Sequence, residues 1–248
     1  MAACASTDVG MLRTMNQDYL FSSSDAVGSL ENLYLVADGM GGHQAGDYAS
    51  RYLVTALAEY VKQSEPESPV SLLQHGILEI NRKLYALSVK EEGLRGMGTT
   101  LVAATIKDGV LYIANVGDSR LYLIRGNLIK QVTKDHSYVE EMIEKGKLVR
   151  NSEEYFSKKN IITRAVGIGE QVDIDFFEVD LKAGDYVLLC SDGLSNMVSD
   201  PEICKIVQTE NSLEDKVGML IHTANEHGGR DNISVILVTP QISEVIAC

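Results

Sequence analysis

Residues 100–116 read Thr100-Leu-Val-Ala-Ala-Thr-Ile-Lys-Asp-Gly-Val-Leu-Tyr-Ile-Ala-Asn-Val116. Two apolar and β-branched runs, 100–106 and 110–116, meet across Asp108-Gly109, a dipeptide that suits the positive φ angles of a tight hairpin. That pairing makes the strands antiparallel neighbours. Runs of the same kind lie at 33–37 (Leu33-Tyr-Leu-Val-Ala37), 121–125, 186–190 and 233–238, and Gly126-Asn127 marks a second turn. Helical spacing fills the gap before the hairpin. Ala49, Tyr52, Leu53, Ala56, Leu57, Tyr60 and Val61 repeat at i, i+3, i+4, i+7, and so do Leu73, Ile77, Ile80, Leu84 and Leu87. The polar loop Gln63–Pro69 between them predicts an antiparallel helix pair lying on something flat. A later helix (Leu213, Val217, Leu220, Ile221, Ala224) precedes the final strand. Strands grouped in hairpins and helices in pairs predict an α+β fold rather than βαβ alternation. Residues 137–164 interrupt the strands with a polar segment that opens on a short helix, Tyr138–Lys145.

The composition narrows the function. The 248 residues hold 22 Lys+Arg against 35 Asp+Glu, a net charge of −13. That balance argues against a nucleic-acid backbone as partner, because phosphate contacts need clustered cations. No apolar run approaches the 18 residues of a membrane span, and the N-terminus lacks the basic and apolar regions of a signal peptide. The four cysteines show no CxxC and no regular spacing, which suits reduced thiols. The expectation is a soluble, acidic, cytoplasmic protein.

Four aspartates stand at strand ends: Asp38 after Leu33–Ala37, Asp118 after Ile113–Gly117, Asp192 after Val187–Ser191, and Asp231 before the last strand. Carboxylates aimed at one cleft would raise one another's pKa unless a cation lay among them. All-oxygen, acid-rich sites suit Mg²⁺ or Mn²⁺, and a pair of such ions can promote displacement at phosphorus. Asp-Gly is also a common turn dipeptide, so strand-end spacing alone does not establish convergence. The loop Asp38-Gly-Met-Gly-Gly-His-Gln-Ala-Gly46 holds four glycines in eight residues, which permits close backbone approach to a ligand. It is not a nucleotide P-loop, because Asp47 stands at the lysine position. His43 within it is suited to donating a proton to a leaving oxygen.

Asp38-Gly-Met-Gly-Gly-His43, Gly98-Thr-Thr100, Val116-Gly-Asp-Ser-Arg120, Asp135-His-Ser137, Ile162-Thr-Arg-Ala-Val-Gly167, Ser191-Asp-Gly193 and Gly229-Arg-Asp-Asn232 occur in that order. Together they resemble the PPM (type 2C) metal-dependent protein serine/threonine phosphatases in their compact bacterial form, over roughly residues 8–239. The resemblance implies a four-layer α/β/β/α sandwich, two antiparallel sheets flanked by helix pairs. It implies one catalytic domain over 1–242, with a small flap subdomain at about 137–164 and a tail at 243–248. It also implies a core site for two ions, with Asp38 bridging, the Gly39 carbonyl on one ion, and Asp192 and Asp231 on the other. Asp118 matches the position that joins Asp192 around a third, weaker ion. Arg13 would fork onto the substrate phosphate and Asp18 would hold metal-bound water. The implied reaction is hydrolysis of phosphoserine and phosphothreonine in proteins by direct attack of a metal-bridged water or hydroxide, with His43 as acid. Family members commonly oppose a Ser/Thr protein kinase, so a cognate kinase is an expected partner, and a monomer the expected state.

Two departures stand out. Phe156-Ser-Lys-Lys-Asn160 replaces the His-Pro that many bacterial members carry, and Gln17 stands where many have Glu. From Lys145 to Arg164 there are six basic and two acidic residues, a pattern that suits either a solvated loop or contact with acidic or phosphorylated segments. Rival readings are a catalytically weak pseudophosphatase that only binds phosphoproteins, a phosphatase for small phosphoesters, and a Ca²⁺-binding protein. The last lacks an Asp-x-Asp-x-Asp-Gly loop.

Overall fold

The computed structural model describes residues 1–42 and 44–242, so His43 and the 243–248 tail lie outside the described residues. In chain order the strands are β1 (Ala2–Asp8), β2 (Asp18–Ser23), β3 (Leu33–Met40), β4 (Gly98–Thr99), β5 (Leu101–Lys107), β6 (Val110–Val116), β7 (Arg120–Arg125), β8 (Leu128–Gln131), β9 (Asp175–Asp180), β10 (Tyr186–Cys190) and β11 (Ile233–Thr239). The helices are α1 (Ala45–Gln63), α2 (Pro69–Lys90), α3 (Tyr138–Glu144), α4 (Glu153–Lys158), α5 (Asp192–Ser195), α6 (Asp200–Val207) and α7 (Leu213–Glu226). One sheet runs β1-β11-β10-β7-β8 and the other β2-β3-β5-β6-β9, with β4 beside β3, and all pairings are antiparallel. The expected hairpin forms in the expected register, Leu101 opposite Val116 and Lys107 opposite Val110. Asp108 and Gly109 both take positive φ, 51° and 77°.

Period-2 alternation divides the apolar residues among three layers of core. On β3, Leu33, Leu35 and Ala37 face α1 and α2, while Tyr34 and Val36 face the other sheet. On β11, Ile233, Val235 and Leu237 meet α6 and α7, and Ile236 and Val238 turn inward against Leu121, Leu123, Val187 and Leu189. The expected four-layer α+β sandwich is the observed one. Helices α1 and α2 sit so close that a Cβ on Gly76 would lie 2.7 Å from Leu57 Cδ1. Ser68 caps α2, accepting from the Ser71 N–H with Pro69 in the first turn.

The 137–164 segment leaves the sandwich and returns at one point, where Ser137 bridges Ile162 and the Thr163 N–H donates to the His136 carbonyl at 2.9 Å. It carries α3, one residue shorter than predicted, and α4, which its charged sequence did not reveal. Among the described residues no helix is long and apolar enough to cross a membrane.

Ile236 lies fully buried in the layer between the sheets. Ile236→Ala should cost about 2–5 kcal/mol of unfolding free energy, whereas Leu128→Ala, at 75% exposure, should stay within about 0.5 kcal/mol. Urea denaturation followed by circular dichroism checks both.

Candidate active site

At one end of the sandwich the inward rows change from apolar to polar. On β2, Leu20 is followed outward by Asp18; on β3, Tyr34 and Val36 by Asp38; on β10, Val187 and Leu189 by Ser191; on β11, Val238 and Ile236 by Ser234. The register sets Asp18 directly across from Asp38. Ser191 Oγ donates to Asp18 Oδ2 at 2.7 Å and accepts from the Ser234 N–H at 2.9 Å, which ties the two sheets together beneath the acids.

Each predicted aspartate has a local reason for its place. The Asp38 N–H donates to Thr100 Oγ1, and its carbonyl accepts from the Thr100 N–H and from Thr99 Oγ1. The next residue must be glycine, because a Cβ on Gly39 would overlap the Gly46 carbonyl. Asp118 follows Gly117, which takes φ 104° and has Thr100 packed where a Cβ would stand. Asp192 opens α5, and its Oδ2 accepts from Asn196 Nδ2 at 2.8 Å. Gly193 beside it lies against the Asn232 carbonyl, where no side chain fits. Asp231 caps its neighbour's backbone, Asn232 N–H to Oδ1 at 2.9 Å, and pairs through Oδ2 with Arg13 Nη2 at 2.8 Å.

Burial and mutual repulsion push Asp18, Asp38, Asp118 and Asp192 upward. Burial raises Asp18 to about 7, against the donors Ser191 and Ser234, with Asp192 and Asp231 adding to the rise. Burial raises Asp118 to about 8, helped by Asp192 and Asp135, and raises Asp192 to about 6, helped by Asp231. Asp38 is pushed well above the usual carboxylate range by burial and then by Asp18, Asp192, Asp118 and Asp231. The structure therefore brings Asp18, Asp38, Asp118, Asp192 and Asp231 within electrostatic reach of one another. Among the described residues no three acidic, His or Cys side chains close into a finished metal cage. Asp18, Asp118 and Asp192 each keep one buried Oδ1 with no hydrogen-bond donor.

A cavity of about 160 Å³ is lined by Arg13, Lys159, Arg230, Asp192 and Asp231 among others. Three cations thus face two of the carboxylates. Lys159 reaches down from the flap to Asn196 Oδ1 at 2.8 Å, and its pKa is lowered, chiefly by burial. The other flap cations are mostly answered locally: Lys145 by Glu141, Arg150 by Glu140, Lys158 by Glu154 and Arg164 by Asp175.

Sequence reasoning gave no site role to Ser191, Asn196, Arg230 or the Arg120–Asp135 pair, and Lys159 entered it only as one of the flap cations. Arg120 is held by Asp135 through Nε at 3.0 Å and Nη2 at 2.7 Å, and it lowers the pKa values of Asp118 and Asp192 from below. Ser191 shares inward parity with Val187 and Leu189, a signal the sequence did contain. Nothing in the spacing marks Lys159, whose role depends on how the flap folds back.

The sequence model of the protein phosphatase 2C family matches residues 13–237. Serine/threonine phosphatase stp of Listeria monocytogenes is 39% identical over 244 residues, covering 96% of this chain and 95% of the relative. Protein phosphatase PhpP of Streptococcus pneumoniae is 44% identical over 236 residues, 94% of this chain and 95% of the relative. The solved Streptococcus agalactiae serine/threonine phosphatase superposes with TM-score 0.90 at 36% identity, covering 97% of this chain and 99% of that one. The family model, the relatives and the shared fold each cover most of the chain, and the chain belongs to the protein phosphatase 2C family.

Proposed function

We propose that this protein hydrolyses phosphoserine and phosphothreonine monoesters in proteins, using divalent cations held by the ring of aspartates. The observation that carries the reading is the set of donor-less, buried Oδ1 atoms on Asp18, Asp118 and Asp192, beside an arginine at the cavity mouth. Buried carboxylate oxygens without hydrogen-bond partners need either a proton or a cation, and an all-oxygen set suits Mg²⁺ or Mn²⁺. Asp38, the Gly39 carbonyl, Asp192 and Asp231 would hold a two-ion core, Asp118 with Asp192 a third and weaker ion, and Asp18 coordinated water. When bound, the ions supply Lewis acidity and lower the pKa of water enough to provide a nucleophile at neutral pH.

The protein's own groups do the rest. Arg13 is half-exposed and reaches the cavity from a fixed loop, so its guanidinium can leave Asp231 and fork onto a phosphate. Lys159 and Arg230 add positive charge to the cavity wall and favour a dianionic substrate. His43, five residues after Asp38 in the glycine-rich loop, would protonate the departing Ser or Thr oxygen. Named serine/threonine phosphatases as relatives favour this reading over a phosphoprotein-binding module. A Ser/Thr kinase acting on the same substrates is the expected functional counterpart.

Turnover of a phosphothreonine peptide should vanish in EDTA and return with Mn²⁺ or Mg²⁺, and Asp192→Ala should lower it at least a hundredfold. Folded protein that turns over no phosphopeptide with any metal would overturn the proposal. Within the flap the two adjacent lysines should separate. Lys159→Glu should raise KM several-fold, while Lys158→Glu, whose partner Glu154 already answers its charge, should change KM less than twofold.

The raised carboxylates also set a pH dependence. In the metal-free protein they bind protons between about pH 4, where an unfolded Asp titrates, and about pH 8, the upper folded value. The folded state then holds more protons than the unfolded one, so stability falls as pH rises through this window. Thermal melting in EDTA should give a lower Tm at pH 8 than at pH 5.5. Added Mn²⁺ should raise Tm more at pH 8, where it meets no competing protons.

A further inference from the structure

Arg13 is the shared wall of two cavities. On one side lies the charged 160 Å³ cavity over Asp192 and Asp231. On the other is a roomier one of about 650 Å³, lined by Arg13, Thr14, Met15, Gln17, Gln44 and Gly93. The loop that carries Arg13 exposes Met11 at 67%, Leu12 at 69% and Met15 at 40%. Scattered apolar residues on a surface are ordinary, but these three lie within five positions of one another around a phosphate-directed arginine.

The loop is also held rigidly in this exposed state. Asn232 Nδ2 donates to the carbonyls of Val9 and Met15, both at 2.9 Å, and Asn232 Oδ1 accepts from the Gln17 N–H at 2.8 Å. The Met11 and Leu12 N–H groups both donate to the Gly229 carbonyl. Gly10 takes φ 79°, and a Cβ there would overlap the Asp231 carbonyl. The apolar side chains are therefore held in water by a backbone sewn to the 229–232 loop that leads into β11, beside Arg13.

We propose that this second cavity and its rim form a substrate subsite that takes an apolar side chain lying within two residues of the phosphorylated Ser or Thr. The inference rests on the phosphatase reading above and names the segment that reading would favour. Two residues of extended chain span about 7 Å, enough to pass from one face of Arg13 to the other. Charge and apolarity match one occupant in two halves: the phosphate meets Arg13, Lys159 and Arg230, and its apolar neighbour meets Met15 in the cavity wall, with Leu12 exposed on the same loop. Such an arrangement positions the phosphoester by burying a side chain that takes no part in the chemistry.

The test uses two phosphothreonine peptides that differ only in Leu or Ser at the positions within two residues of the phosphothreonine, assayed with Mn²⁺. The wild-type protein should show about tenfold higher kcat/KM for the Leu peptide, expressed in KM. In the double variant Met15→Ser, Leu12→Ser the ratio should fall to near one, while Leu12→Met alone should keep it. Because these side chains are exposed, loss of folding does not account for a changed ratio. A wild-type ratio near one, or a tenfold ratio that survives the double variant, overturns the subsite. Turnover of neither peptide removes the phosphatase reading and this inference with it, whereas equal turnover of both removes this inference alone.

Discussion

The structure depends on one arrangement of like charges: five aspartates at the rim of the layer between two sheets, each raised or crowded by the others. Such a cluster opposes folding, since burying carboxylates near one another costs free energy that only protons, cations or donors can offset. The chain supplies few donors. Ser191 Oγ serves Asp18, Asn196 serves one oxygen of Asp192, Arg13 serves Asp231, and Arg120 acts from below while itself committed to Asp135. The remaining oxygens of Asp18, Asp118 and Asp192 are left facing inward. A fold selected for stability alone would not retain them, and the cost is localised where chemistry on a charged ester would use it.

The fold tolerates this because the rest of the inter-sheet layer is uniformly apolar. Antiparallel pairing brings N-terminal and C-terminal strand ends together at the same edge. A polar residue at the last inward position of each strand then lands in one place. Thr7, Asp18, Asp38, Thr100, Asn115, Ser119, Ser191 and Ser234 all share parity with inward apolar residues and sit at that edge. Several bond one another, as Thr7 does Ser234 and Thr100 does Ser119, each at 2.7 Å. The polar edge is thus a network built by strand alternation, and Asp18 is a member of it whose Oδ1 has no donor.

This also explains which parts could be read from the sequence. The central strands β3, β5, β6, β10 and β11 are dense apolar runs, and α1, α2 and α7 repeat with clear helical spacing, so pattern alone located them. The strands β1 and β2 escaped it. Ala2-Ala-Cys-Ala-Ser-Thr-Asp8 has small side chains, and its partner β11 lies more than 220 residues away, so only tertiary pairing makes it a strand. The short helices α4, α5 and α6 are likewise fixed by what they pack on. Among the site residues, the strand-end aspartates were legible because they abut apolar runs or glycines. Lys159 and Arg230 were not, since their relevance comes from a flap and a loop that converge only in three dimensions.

The flap's charge is distributed by geometry that composition does not describe. The surplus of four positive charges over Lys145–Arg164 suits either a solvated loop or contact with acidic or phosphorylated segments, and the structure answers four of the six cations with carboxylates, including Glu140, Glu141 and Asp175 from outside that span. Exposed pairs of this kind contribute little stability, but they remove much of the long-range field that would attract any acidic chain. Of the other two cations, Lys147 and Lys159, it is Lys159 that is placed over Asp192 by α4 and the return at Ile162, and it faces Arg13 and Arg230 across a cavity of about 160 Å³. The positive charge of Lys159, Arg13 and Arg230 is thereby concentrated at one cavity. A protein with net charge −13 can admit a phosphorylated segment only if its attraction is confined in this way, because its wider surface repels the substrate's other acidic groups.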